Sequence, residues 1–135
     1  MPATRRSMIT SNCSRQDITL APLITTNATP TDMYTSTTSV PPSNTIYLEA
    51  VITVSNSTYS QCSNIFVSAS ACRASSGNIR LIDTNFLRAV GEIKAVDASA
   101  VWRVDTATQK FFLTVTGKAG TTYNWTGYLT TYRAF

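Results

Sequence analysis

Acidic side chains and cysteines would have to carry any catalysis, because the sequence contains no histidine. Without histidine the usual general base, the common catalytic triads and the commonest zinc ligand are absent. Paired carboxylates can perform glycosidase-type acid–base chemistry, and the candidates are Glu49, Asp83, Glu92, Asp97 and Asp105. Their spacing singles out no pair, and turn or surface roles explain them better. We therefore expect that the protein is not an enzyme.

The cysteines Cys13, Cys62 and Cys72 lack the CxxC spacing of metal and redox motifs. If residues 62–72 form one strand, a rise of about 3.3 Å per residue places Cys62 and Cys72 roughly 30 Å apart, beyond disulfide reach. Free thiols are the simpler interpretation, although a bridge from Cys13 to one of the others stays open. No helix pattern follows the glycine-rich residues 117–120, which excludes a phosphate-binding loop. We expect no cofactor and no metal.

The basic residues are scattered, although the chain has a formal net charge of +4. Phosphate binding uses clustered lysine and arginine, and only Arg5, Arg6 and Arg15 gather, near the N-terminus. These three are candidate contacts of an N-terminal arm with an acidic neighbour, either another subunit or nucleic acid. A nucleic-acid partner is not expected from the chain as a whole.

Export and membrane signals are not found in the sequence. No stretch approaches the roughly 20 apolar residues of a membrane span, and the first ten residues lack the apolar core of a secretory signal. We expect a protein without a membrane span that is synthesised in the cytoplasm.

Four Asn-X-Ser/Thr sequons are candidate glycosylation sites, at Asn12, Asn27, Asn56 and Asn124. Without an export signal, ordinary glycosylation is not expected. The exception would be a virus with its own cytosolic glycosylation machinery, which could modify these asparagines without export of the protein.

Composition and periodicity predict an all-β fold. Threonine, serine and asparagine fill the polar positions, and no window keeps the apolar spacing of a helix. Residues 45–54 alternate strictly, as a half-buried strand does, and the core-facing set is Ile46, Leu48, Ala50, Ile52 and Val54. The turn residues at 56–60 predict a hairpin to the next strand.

The predicted organisation has three parts. Residues 1–16 form a flexible or late-ordering arm, and residues 17–44 form an edge strand followed by a Thr/Pro-rich loop. Residues 45–135 form the body, an antiparallel β-sandwich of jelly-roll-like type. Residues 91–100 are expected to form a loop, with one weak helical turn as the alternative. Gly117 and Gly120 are expected to close a tight hairpin that ends the chain.

Aromatic side chains occur on strand positions that alternate away from the core series. These are Phe66, Phe112, Tyr128 and Tyr132, and Phe135 follows at the end of the sequence. A solvated face would be unusually aromatic. Such residues either face a second packed layer or form a subunit contact, where aromatic residues are enriched.

Several segments resemble a β-rich module of bacteriophage tail-fibre proteins and related virion surface proteins. The segments are TTNATPT, TIYLEAVITV, NIRLID and FFLTVTGKAGTTYNWTGYLTTY, within residues 25–131. The most specific match is VTGKAGT, residues 115–121, together with Trp125. The module's charged loop is shortened here to residues 105–109, and no fibre shaft or repeat accompanies the module.

The resemblance implies a structural protein of the virion, either a small capsid-associated subunit or a fibre-like one. It further implies self-assembly, often as a trimer, and contacts with other capsid or fibre proteins. The alternative is a module that binds host-surface glycans through exposed aromatic residues such as Tyr34, Tyr59 or Tyr128.

Overall fold

The computed structural model describes residues 13–134, and these residues form nine strands and no helix. The strands are β1 (Cys13–Thr19), β2 (Leu23–Thr25), β3 (Thr31–Thr35), β4 (Asn44–Asn56), β5 (Cys62–Arg73), β6 (Arg80–Gly91), β7 (Ser99–Asp105), β8 (Lys110–Thr116) and β9 (Tyr123–Ala134).

Two antiparallel sheets make up the fold. Sheet A has six strands in the order β1-β9-β4-β5-β6, and β2 also pairs with β9. Sheet B has three strands in the order β3-β8-β7. The predicted all-β sandwich is confirmed. The jelly-roll connectivity is not, since β4, β5 and β6 follow one another within one sheet.

The core lies between the inner faces of the two sheets. All five predicted inward residues of β4 are buried, which confirms the alternation that the sequence indicated. Leu113 and Val115 face them from sheet B and are fully buried. The indole Nε1 of Trp102 on β7 donates to the backbone oxygen of Val67 on β5 at 3.2 Å, which ties one sheet to the other.

The predicted closing hairpin is wrong, because β8 and β9 belong to different sheets. β8 pairs with β3 and β7, whereas β9 pairs with β1, β2 and β4. Residues 117–122 therefore cross from one layer to the other. Gly117 is needed in this crossing, since a Cβ there would lie 2.7 Å from Thr25 Oγ1. Both strands have apolar inner faces, so their local pattern is the same as that of a paired hairpin.

Strands also begin inside segments that the sequence predicted to be irregular. β1 starts at Cys13, within the predicted arm, and β3 lies within the Thr/Pro-rich loop that was predicted in the second half of residues 17–44. Both are edge strands, and each pairs with a strand that is distant in the sequence: β1 with β9, and β3 with β8. In β3 a register shift between Asp32 and Tyr34 interrupts the alternation, which removes the local signal of a strand.

The strand that follows β5 is continuous, but its pairing is irregular. β6 runs from Arg80 to Gly91, and its pairing with β5 shifts register opposite Ser68 and Ser70. Asp83 lies in that irregularity with a φ of 53°. Residues 92–98 connect β6 to β7 without a helix, as expected.

Replacement of Gly127 by alanine is expected to destabilise sheet A. Gly127 pairs with Ile52 of β4, and an added Cβ would lie 2.3 Å from the backbone oxygen of Val51. Because a backbone atom cannot rotate away, we expect a loss of about 1–3 kcal/mol in the free energy of unfolding, measured by urea denaturation. The neighbouring exposed variant Thr126→Ala is the control, and equal stabilities of the two variants would contradict the expected clash.

Candidate interaction surface

The outer face of sheet A carries a set of apolar and aromatic side chains that we call the aromatic face: Tyr47, Val51, Phe66, Tyr128 and Tyr132. Three of them form one row across the central strands, because Val51 pairs with both Phe66 and Tyr128. Tyr128 is 54% exposed and Phe66 is half-buried. The row therefore presents apolar surface outward from the centre of the sheet.

A second row runs parallel to the first, toward the other end of the strands. Tyr47 pairs with Tyr132, and their ring centroids lie 5.9 Å apart with the planes inclined by 34°. The guanidinium carbon of Arg15 on β1 lies 5.7 Å from the centroid of the Tyr132 ring. This distance is within the range of a cation–π interaction. Tyr47 is 39% exposed, so the pair is open to a partner.

A polar row separates the two aromatic rows. It includes Asp17, Thr130 and Glu49, which lie side by side on β1, β9 and β4. Asp17 accepts a hydrogen bond from Thr130 Oγ1 at 2.8 Å and from Arg15 Nε at 3.1 Å. The Thr130 hydroxyl lowers the pKa of the Asp17 carboxyl, and the Arg15 guanidinium lowers it further. The aromatic face thus carries one internally paired patch of charge.

Low pH is expected to destabilise the pairing of β1 with β9, because it protonates the Asp17 carboxylate that accepts a hydrogen bond from Thr130. A carboxyl whose pKa is lowered by folding contributes stability above its ordinary pKa, and that contribution is lost as pH falls through the folded pKa. Thermal unfolding from about pH 5 to about pH 2 should therefore show a shallower loss of stability in Asp17→Asn than in the unsubstituted chain. Thr130→Val, which removes the largest cause of the lowered pKa, should show part of the same change. Identical pH slopes for all three proteins would contradict this assignment.

Part of the aromatic face was predicted from the sequence. Phe66, Tyr128 and Tyr132 lie together on it, as predicted. Phe112 does not: it lies on β8, on the outer face of sheet B, where it pairs with Arg103 and Thr35. Outward positions of the two sheets point in opposite directions, and the sequence did not reveal which sheet holds β8.

Tyr47 and Val51 were missed as site residues. Both lie opposite the core series of β4, so the alternation that identified the core was the signal that could have found them. Arg15, one of three predicted arm contacts, lies on β1 and contacts Tyr132 and Asp17. Arg5, Arg6 and Phe135 lie outside the described residues.

The three tyrosines proposed for glycan binding are not brought together. Tyr128 lies on the aromatic face, and Tyr59 is 72% exposed in the turn between β4 and β5. Tyr34 is half-buried between the sheets, with its ring centroid 6.3 Å from that of Phe111. Burial raises the pKa of the Tyr34 phenol. A single tyrosine-lined pocket built from these residues is therefore not formed.

The sequons differ in how their asparagine side chains are used. Asn56 Nδ2 donates to Ser60 Oγ at 2.8 Å, and its Oδ1 accepts from the backbone N–H groups of Ser60 and Gln61. Asn124 lies within β9 and is half-buried. Asn27 lies in an exposed turn, where its Oδ1 accepts from the Thr29 N–H at 2.9 Å. Asn12 lies outside the described residues.

Two of the candidate acids, Glu92 and Asp97, line one cleft beside the β6–β7 connection. Asp97 Oδ1 lies 3.8 Å from Lys118 Nζ, a weak ion pair. Cys62 and Cys72 are free thiols at opposite ends of β5. Within residues 13–134 no group of three or more acids and cysteines is arranged to hold a metal ion. No helix long and apolar enough to cross a membrane occurs there either.

No protein-family model and no curated protein matches the chain. Among solved structures, the tailspike protein of Acinetobacter baumannii phage AM24 is similar with a TM-score of 0.41 and 14% sequence identity. The likeness covers 91% of this chain and 25% of that one, so the chain spans about a quarter of the tailspike's length. A TM-score of this size does not establish a common fold, and the aromatic face rests on its own geometry.

Proposed function

We propose that the protein is a non-enzymatic structural protein of a virion, a small capsid-associated or fibre-like subunit that assembles with copies of itself. The observation that carries this proposal is the aromatic face, two apolar rows on the outside of a sheet whose inner face already packs the core. A patch of exposed apolar side chains, such as the row of Phe66, Val51 and Tyr128, marks interaction sites, and aromatic residues are enriched in the buried centre of subunit contacts.

The shape and charge of the aromatic face favour a second copy of the chain as its partner. A sheet face packs well against another sheet face, with side chains of both interdigitating. The aromatic face and its polar row carry both signs of charge: Arg15 and Asp17 lie together on β1, and Glu49 lies on β4, on the other side of β9. A self-complementary contact can therefore place the cation of each copy against an acid of the other. A trimer is the assembly that the tail-fibre resemblance favours.

Glycan binding is the second candidate, and one feature favours it. The ring pair of Tyr47 and Tyr132 lies beside the polar row that holds the carboxylates of Asp17 and Glu49. An aromatic ring with an apolar face and neighbouring hydrogen-bond acceptors suits a sugar ring with its hydroxyl groups. This candidate uses the same surface, so self-assembly and sugar binding compete for it.

Sedimentation velocity across a range of concentrations separates the two candidates. The unsubstituted chain is expected to sediment as an oligomer, and the double variant Tyr47→Ala/Tyr132→Ala is expected to shift toward the monomer. Phe112→Ala, on the outer face of sheet B, is the matched control and should sediment as the unsubstituted chain does. A monomeric chain whose Tyr47 and Tyr132 NMR signals shift with added oligosaccharide would instead favour the glycan candidate.

A further inference from the structure

A polar cleft lies at one end of the sandwich, on the inner side of sheet A and away from the aromatic face. Its walls come from β1, β4 and β9 of sheet A, from β3 and β8 of sheet B, and from residues 36–38 after β3. Its volume is about 180 Å³. The lining includes Gln16, Tyr34, Ser36, Thr131 and Arg133. Sites for drug-sized ligands are typically about 300–1,000 Å³, so this cleft suits a smaller molecule.

Arg133 is the charged residue of the cleft. It lies on the inward side of β9, where it pairs with the buried Ile46, and it is half-buried. The ion pairs among the described residues are Arg15–Asp17 and Lys118–Asp97, and no described residue forms a hydrogen bond or ion pair with the Arg133 side chain. None of the residues from 13 to 134 that line the cleft is acidic. Among the described residues, this half-buried guanidinium thus faces a cavity without a counter-ion.

The other walls supply neutral hydrogen-bonding groups and one apolar side. Gln16 and Thr131 pair across the β1–β9 ladder and both line the cleft. Tyr34 and Phe111 form the apolar side, with ring centroids 6.3 Å apart. The Tyr34 hydroxyl is protonated at neutral pH and can donate, as any tyrosine does, and burial raises its pKa further. The Ser36 hydroxyl already has hydrogen-bond partners within the protein: its Oγ accepts from the Phe111 N–H and donates to the Thr38 carbonyl.

We propose that this cleft binds a small carboxylate that also carries hydroxyl groups, with Arg133 holding the carboxylate and the neutral side chains contacting the hydroxyls. The planar fork of N–H donors in a guanidinium matches the two oxygens of a carboxylate. Neutral amide and hydroxyl groups suit the hydroxyls of the same molecule. A phosphate dianion fits less well, because the described part of the lining offers it a single cation.

Titration of the isotope-labelled full chain with sodium glucuronate, followed by NMR, tests the proposal. Backbone signals of residues 16, 34–38 and 131–133 are expected to shift in a saturable way, whereas glucose should bind at least about tenfold more weakly. Hydrogen bonds to a charged group correspond to about tenfold to a hundredfold in affinity. Arg133→Gln should therefore lose binding by that factor, and Arg133→Lys should retain part of it.

Arg103→Gln is the matched control, since Arg103 is an exposed arginine on the outer face of sheet B, away from the cleft and from the aromatic face. It should bind glucuronate as the unsubstituted chain does, and thermal unfolding shows whether each variant is folded. Absence of saturable shifts, equal binding by folded Arg133→Gln, or phosphate binding as tight as glucuronate would each overturn the proposal. The site is separate from the aromatic face, so any of these results leaves the proposed self-assembly unaffected.

Discussion

Replacement of Trp125 by alanine is expected to lower the free energy of unfolding by about 3–5 kcal/mol. Trp125 is 0% exposed and lies on the inward side of β9, in the middle of the core. Its ring packs edge-on against Tyr123 with centroids 6.2 Å apart, and its Nε1 donates to Thr25 Oγ1 at 2.9 Å. The substitution removes both contacts and leaves a cavity between the sheets. Urea denaturation followed by circular dichroism measures the loss.

Thr25→Val separates the hydrogen bond from the packing. It keeps the shape of the Thr25 side chain but leaves the buried indole N–H of Trp125 without its acceptor, so we expect a loss of about 1–3 kcal/mol. The exposed Thr126→Ala variant should change stability by less than about 0.5 kcal/mol. A Trp125→Ala protein that unfolds at the same urea concentration as the unsubstituted chain would show that this core does not hold the sheets together.

Introduction of a charge at Tyr128 is expected to dissociate the assembly without unfolding the subunit. Tyr128 lies in the apolar row of the aromatic face, between Thr19 and Val51, and is 54% exposed. Aspartate there would bury an unpaired carboxylate in the proposed contact, and central aromatic residues of interfaces typically contribute 2 kcal/mol or more. We therefore expect the dissociation constant of Tyr128→Asp to rise by roughly 30-fold or more.

Tyr59→Asp is the matched control for that variant. It introduces the same charge at a tyrosine that is 72% exposed but lies in the β4–β5 turn, away from the aromatic face. Light scattering behind size exclusion should give the unsubstituted mass for Tyr59→Asp and a lower mass for Tyr128→Asp. If both variants keep the mass of the unsubstituted oligomer, the contact does not run through the aromatic face.

The local pattern of the sequence predicted which side chains of β4 point inward. In β4, apolar residues at every second position identified the buried face, and the turn at residues 56–60 identified its hairpin partner β5. Sheet membership was not predictable in this way. β8 and β9 both alternate, and only the long-range ladders, β8 with β3 and β9 with β4, place them in different layers.

The same limit explains what was missed at the two candidate sites. Tyr47 joins the aromatic face through the ladder that places it beside Tyr132, a residue 85 positions along the chain. Phe112 is not part of the aromatic face, because its strand β8 belongs to sheet B. The cleft around Arg133 forms where the inner side of β9 meets residues that follow β3. No local pattern predicts such a meeting of distant segments.

Native mass spectrometry of the full chain tests the central claim most directly, because one spectrum reports the number of subunits and any attached mass. Self-assembly through the aromatic face predicts a homo-oligomer of unmodified subunits, with a trimer as the expected state. A monomer at every concentration at which the protein stays folded would contradict it.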